Sequence, residues 1–168
     1  RCENDGKIST TVVIAQNHVG GIVGLVSGAN AEVTTCINHA NVQGYYCVGG
    51  IAGAVKAGAE VHLSANYGDV KGNGIIGGVA GRVSTTGMYS NGSVKECAGF
   101  DVYNLGQVSG YGTTAGSEMG GIVGEAGYEN WKQEALPPMP VIERAYSVPI
   151  SSGVNRNGGI IGYLLSGC

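Results

Sequence analysis

Gly20-Gly21-Ile22-Val23-Gly24 is the first of five copies of one pattern: two glycines, two small apolar residues and a third glycine. The others are Gly49-Gly50-Ile51-Ala52-Gly53, Gly77-Gly78-Val79-Ala80-Gly81, Gly120-Gly121-Ile122-Val123-Gly124 and Gly158-Gly159-Ile160-Ile161-Gly162. The first glycines are spaced by 29, 28, 43 and 38 residues. Recurrence at such a period marks a solenoid-like array. It also assigns most of the 32 glycines to architecture, not to chemistry.

Working outward, the two cleanest units run from Gly20 to Gly44 and from Gly49 to Gly72. Each continues through Ala31-Glu32-Val33 or Ala59-Glu60-Val61. Each closes with Asn38-His39-Ala40-Asn41-Val42-Gln43-Gly44 or Asn66-Tyr67-Gly68-Asp69-Val70-Lys71-Gly72. That gives three short apolar stretches per unit, too short and too glycine-rich for helices. Three strands in about 28 residues match one coil of a parallel β-helix, each coil stacking on the next at ~4.8 Å. The stacking places Val33 over Val61, and Val42 over Val70 over Val108, as inward ladders. Asn38, Asn66 and Asn104 stack at a corner, where asparagine tolerates a left-handed backbone and passes hydrogen bonds between rungs. The pairs Gly20/Gly21, Gly49/Gly50, Gly77/Gly78, Gly120/Gly121 and Gly158/Gly159 suit a turn with positive φ and close backbone approach.

The long spacings fit the same frame. The 43-residue interval exceeds the unit by about 15 residues and contains two closing-type stretches, Ser90–Val94 and Tyr103–Gly110, as if part of a unit were duplicated. The excess in the 38-residue interval falls near Tyr128 to Pro140, which holds Trp131 and three of the four prolines. Proline cannot donate to a ladder, so this stretch is expected to leave the solenoid as a loop.

The glycine unit followed by an Asn-x-Gly-x-Val-x-Gly strand resembles the GLUG motif, which is repeated in bacterial surface proteins and in non-catalytic regions of IgA-specific metallopeptidases. The resemblance covers Val19 to Gly72 and Gly77 to Gly124, and Glu143 to Leu164 loosely, where Ala145-Tyr146-Ser147-Val148-Pro149 replaces the expected strand. It implies a right-handed coil and an extracellular or cell-surface bacterial location, and no reaction. The expected fold is all-β, a right-handed parallel β-helix of about five coils of ~28 residues forming one domain over 1–168. Within it, 1–19 is an incomplete first coil, 125–142 a loop excursion and 158–168 an incomplete last coil.

Composition narrows function by exclusion. Charged residues make up 12% of the chain and the net charge is −3 without a basic cluster, so neither nucleic acid nor an anionic membrane is an expected partner. No stretch approaches the ~20 apolar residues of a membrane-spanning helix. Gly72-Asn73-Gly74-Ile75-Ile76-Gly77 matches a dinucleotide fingerprint, but it straddles a unit junction and so belongs to the repeat. His18, His39 and His62 form no HExxH, and no GxSxG elbow occurs. The acids are scattered, apart from Glu32 and Glu60, which stack without a third member. No catalytic, cofactor-binding or metal-binding residue is therefore assigned.

Nine tyrosines against one phenylalanine offer a surface signal, because amphipathic rings suit glycan or protein contact as well as the covering of strand corners. Five cysteines lack metal-site spacing. In an exported protein the odd count points to pairing with another chain or a free thiol; alternatively Cys36, Cys47 and Cys97 are small reduced core residues. From Gly158 to the chain end and on to Gly20 of a following copy is 30 residues, close to one unit. Two copies stacked head to tail would complete a coil, with Cys2 near Cys168 as a candidate intermolecular disulfide. A segment cut from a longer array would also end in mid-unit. Two functional classes follow: a non-catalytic extracellular structural module, self-assembling as filament or stalk, or an adhesin-type module that binds host glycan or protein through exposed tyrosines and a loop carrying Tyr128 and Trp131.

Overall fold

The repeat folds as a parallel β-helix. The computed structural model describes residues 1–13, 17–84, 98–111, 117–127, 141–148 and 156–165, with only the backbone of 98–100. These residues form 21 strands and no helix, and every strand pairing is parallel. No helix among them is long and apolar enough to cross a membrane.

Four ladders wall the coil. The first joins Glu3–Asn4, Ile37–Asn38 and Ala65–Asn66 with Glu32–Thr34 and Glu60–His62 through the longer strand Ala98–Asn104, on which Val141–Ser147 stacks. The second stacks Ile8–Ser9, Val42–Gln43, Val70–Gly72 and Val108–Gly110. The third stacks His18–Gly20, Cys47–Gly49, Ile75–Gly77, Glu118–Gly120 and Arg156–Gly158. The fourth stacks Val23–Ser27, Ala52–Lys56, Ala80–Ser84, Val123–Gly127 and Ile161–Leu164. A coil thus has five short strand positions, not three. The glycine motif itself supplies two of them, because its flanking apolar residues pair on either side of the double glycine.

The expected ladders are present: Val61 pairs with Val33, Val70 with both Val42 and Val108, and Asn66 with both Asn38 and Asn104. Glu60 stacks on Glu32, and the next residue in that column is Ala98. Alternation along each strand turns the valines inward. They form two apolar clusters, one around Val33, Ile51, Val61, Val79 and Ile122, the other around Val42, Val48, Val70, Ile76 and Met119.

A polar seam accompanies these clusters. Asn38, Asn66 and Asn104 are fully buried, and each amide nitrogen donates twice. One bond reaches the next rung: Asn38 Nδ2 to Asn66 Oδ1 at 2.7 Å and Asn66 Nδ2 to Asn104 Oδ1 at 2.8 Å. The other reaches the carbonyl two residues on, at Ala40, Gly68 and Gly106. Asn4 starts the ladder, and the Ser147 hydroxyl takes the asparagine's place at its far side. A buried amide is tolerable only when its polar atoms are paired, and the stack pairs them.

The double glycines make room for this seam. A Cβ on Gly50 would lie 2.2 Å from Asn66 Cγ, and one on Gly78 would lie 2.2 Å from Asn104 Cγ. The preceding glycines close the third-wall strands in register, and a Cβ there would meet the carbonyl oxygen three residues on, 2.0 Å away at Gly49. The same contacts recur at Gly20, Gly21, Gly77, Gly120, Gly121 and Gly158, whereas the space around Gly159 is open. Close approach, not positive φ, is what these positions demand. The described glycines with positive φ are Gly28, Gly58 and Gly127, none of them paired.

The asparagines are not left-handed either. Apart from Ala57, the described non-glycine residues with that backbone form another column, Thr35, Leu63, Asp101 and Arg144, with φ of 54°, 45°, 51° and 47°, where the first wall bends. The register also relocates the extra residues. Lys56 to Glu60 spans four positions, whereas the equivalent Ser84 to Ala98 spans fourteen. Gly72 to Ile75 spans three, and Gly110 to Glu118 spans eight. The extra residues of the 43-residue interval thus fall between Ser84 and Ala98 and between Gly110 and Glu118; Ser90–Val94, one of the two stretches read as a partial duplicate, lies outside the described residues. Gly127 to Val141 likewise holds the excess of the 38-residue interval; the ends of the excursion expected over 125–142 are strand, and its remaining residues, 128–140, lie outside the described residues. Val141–Ser147 continues the first wall and takes in Ala145–Ser147 of the stretch that replaces the expected strand, while Pro149 lies outside the described residues.

Candidate binding groove

The outward face of the second wall carries a column of polar side chains, Ser9, Gln43, Lys71 and Ser109, in direct register. Beside it Lys7, Asn41, Asp69 and Gln107 occupy the corner preceding each strand. Two hollows open along this face. One of about 350 Å³ is lined by Thr10, Thr11, Val13, Gln43, Tyr45, Lys71 and Tyr111. The other, about 260 Å³, is lined by Lys7, Asn41, Val42, Gln43, Asp69, Lys71, Gln107 and Ser109. They lie on either side of the same two side chains, Gln43 and Lys71 of successive coils, and are taken together as the candidate groove.

Its parts are held in place by the ladder. Asn41 Oδ1 accepts from the Asp69 backbone N–H at 3.1 Å, and Asp69 Oδ1 accepts from that of Gln107 at 3.0 Å. The Tyr111 hydroxyl donates to the Gly44 carbonyl at 2.5 Å, fixing its ring against the wall, with Lys71 Nζ 5.7 Å from the ring centroid. Burial, and secondarily Tyr45, raises the Tyr111 pKa, so the phenol is neutral at physiological pH. Aromatic ring, amide, carboxylate and ammonium groups at fixed spacing are the means by which a protein recognises a polyhydroxylated or polar extended ligand.

The tyrosines divide among faces. Tyr45 and the exposed Tyr111 line the groove, while Tyr67, Tyr103 and Tyr146 are exposed along the first wall, Tyr103 in backbone register with Tyr146 and Tyr67 ring-stacked on His39 at 5.2 Å. Tyr128 and Trp131, the expected binding loop, lie outside the described residues.

Two histidines meet acids: His39 meets one distant in the sequence, and His62, read from the sequence as lacking an acidic neighbour, meets one two residues away on the same face of its own strand. His39 Nε2 lies 3.2 Å from Glu3 Oε1, a coil away, and His62 Nε2 lies 2.7 Å from Glu60 Oε2. Glu3, Asp5 and His39 come together as an exposed group. Also missed were two buried acids on the third and fourth walls. Glu118 pairs with Arg156 at 2.6 Å and Glu125 with Arg82 at 2.8 Å. Burial, then the neighbouring Glu125, raises the Glu118 pKa despite Arg156. Aligning the repeats would have found both pairs, since Arg156 is in register with Glu118 and Glu125 with Arg82. Each acid faces its own arginine, an arrangement that ties coils together.

Gly72 ends a second-wall strand and Ile75–Gly77 forms a third-wall strand, so the fingerprint-like match opens no helix. Cys2 is exposed, Cys36 and Cys47 are buried, and Cys97 and Cys168 lie outside the described residues. Comparison with protein-family models, curated proteins and solved structures finds no match.

Proposed function

We propose that the chain is a non-catalytic β-helical module that binds an extended glycan along the groove of its second wall. The observation that carries this reading is that the two hollows share Gln43 and Lys71 on successive coils, with Tyr45 and Tyr111 lining the larger of these two. A groove crossing coils at the ~4.8 Å rung spacing presents repeated polar groups, which suits a polymer better than a compact metabolite. The GLUG-like repeat supports placing the module outside a bacterial cell, where such ligands occur.

The test is binding to an array of immobilised neutral and acidic oligosaccharides, followed by titration of the tightest. Tyr111→Ala is expected to weaken binding about tenfold, the worth of one ring contact. Lys71→Ala should weaken acidic ligands more than neutral ones. Absence of binding across the array, or binding indifferent to both substitutions, overturns the proposal; retention of a protein ligand alone would favour the protein-binding form of adhesion.

A second reading, a structural module whose copies stack along the axis, has its own support. Gly21, Gly50 and Gly78 each abut an asparagine and Gly121 abuts Ser147, but the space at Gly159 is open to a further coil, of this or another chain. Sedimentation and electron microscopy with and without reductant test it, and a monomer in both conditions sinks it.

A further inference from the structure

We propose that Cys2 and Cys36 form an intramolecular disulfide that staples the first coil to the second. Glu3 pairs with Ile37 and Asn4 with Asn38 in a parallel ladder, so Cys2 and Cys36 occupy the preceding rung. The Ile37 N–H donates to the Cys2 carbonyl at 2.9 Å, which continues the ladder to that rung. Neighbouring Cα atoms in such a ladder lie ~4.8 Å apart, within the ~4.4–6.8 Å that a disulfide spans. The column is an inward one: it continues from Cys36 to the buried Ser64, whose hydroxyl accepts from the Cys36 N–H at 3.2 Å.

The two thiols differ in a way that orders the chemistry. Cys2 is exposed, whereas Cys36 is buried in the apolar cluster, its Sγ 3.2 Å from the Thr34 carbonyl. Burial, with the adjacent Cys2 thiol contributing, holds the Cys36 pKa above the usual thiol value. With a small-molecule disulfide such as oxidised glutathione as oxidant, the Cys2 thiolate attacks one of its sulfurs and expels a glutathione thiolate. Cys36 then attacks Cys2 Sγ in the mixed disulfide, forming the Sγ–Sγ bond and expelling the second glutathione. Two protein thiols are oxidised, one small disulfide is reduced to two thiols, and these take up the two protons. The bond closes a long loop and anchors the two-residue strand Glu3–Asn4, which otherwise rests on few hydrogen bonds.

The experiment equilibrates the whole chain in oxidised and in reduced glutathione buffers and maps cysteines by non-reducing peptide mass spectrometry. A monomer about two mass units lighter, with a Cys2–Cys36 linked peptide, is expected. Its Tm should rise by about 5 °C over the reduced form, and the rise should vanish in Cys2→Ser. Cys36→Ser should leave Cys2 carrying glutathione, a readout that does not depend on stability. Recovery of Cys2 linked to Cys97 or Cys168, disulfide-linked dimers, both thiols fully alkylatable in oxidised buffer, or the same Tm rise in Cys2→Ser would each overturn the proposal.

Discussion

Replacing Asn66 by alanine removes the middle of the buried amide ladder. The Asn38 amide loses its acceptor 2.7 Å away, Asn104 Oδ1 loses its donor at 2.8 Å, and the buried Gly68 carbonyl loses its donor at 2.7 Å. At ~1 kcal/mol or more for each buried group left unpaired, with a small cavity added, the loss is about 4 kcal/mol. For a chain of this size that corresponds to a drop in Tm of about 8–16 °C. The internal control is Asn4→Ala. Asn4 donates a single bond to the ladder from the half-buried first rung, and its loss leaves one buried group, Asn38 Oδ1, without a donor, so the same chemistry there should cost only about 1 kcal/mol. Asn66→Asp sharpens the comparison, because a carboxylate has no proton to give to Asn104 Oδ1 or Gly68 O. It should be at least as damaging as alanine at neutral pH and partly recover in acid, where the protonated form can donate again. Thermal melts followed by circular dichroism, with hydrogen exchange at the Asn66 rung, measure all three. If Asn66→Ala stays within ~1 kcal/mol of the parent, or costs no more than Asn4→Ala, the ladder is not what holds the seam.

Gly50→Ala should prevent native folding or cost more than about 3 kcal/mol, since its Cβ would sit 2.2 Å from both Asn66 Cγ and the Gly78 carbonyl, whereas Gly6→Ala, whose nearest neighbour is 3.6 Å away, should be neutral in the same melt. Leu63→Gly should be neutral or stabilising by up to ~1 kcal/mol in denaturant titrations, because Leu63 is exposed and its φ is 45°, a conformation glycine adopts without strain. Glu118 supplies a pH signature: its folded pKa is raised, so the native state binds its proton more tightly than the unfolded chain does. Its contribution is fully present below the ordinary value of 4.5 and is lost as pH rises through the folded pKa. Glu118→Gln should flatten that decline in a stability–pH series, and an unchanged profile would contradict the assignment.

Much of the architecture is legible in the spacing of identical residues. A parallel β-helix stacks like on like, so Val42, Val70 and Val108, and Asn38, Asn66 and Asn104, declare their contacts through their period alone. Alignment of the repeats also carries ion pairs such as Glu118–Arg156, which go unnoticed when each residue is considered only beside its chain neighbours. Other features have no such signature. Backbone conformation at a corner depends on how the coil bends, so the left-handed column falls on Thr35, Leu63, Asp101 and Arg144, four unrelated residue types.

The groove is the clearest case of this division. Its side chains come from separate coils: Tyr45 and Tyr111 hold one repeat position two coils apart, with Asn73 between them, while Thr10 sits one position earlier, where the other coils have glycine. Only folding brings them to one face. The period alone determined that this chain coils, which valines point inward, and that Asn38, Asn66 and Asn104 stack, because stacked parallel rungs translate sequence distance directly into contact. The tertiary structure decided that the double glycines serve close approach to that asparagine, where the extra residues leave the coil, and that Cys2 meets Cys36. Those outcomes depend on the shape of the cross-section, which no single unit of the repeat encodes.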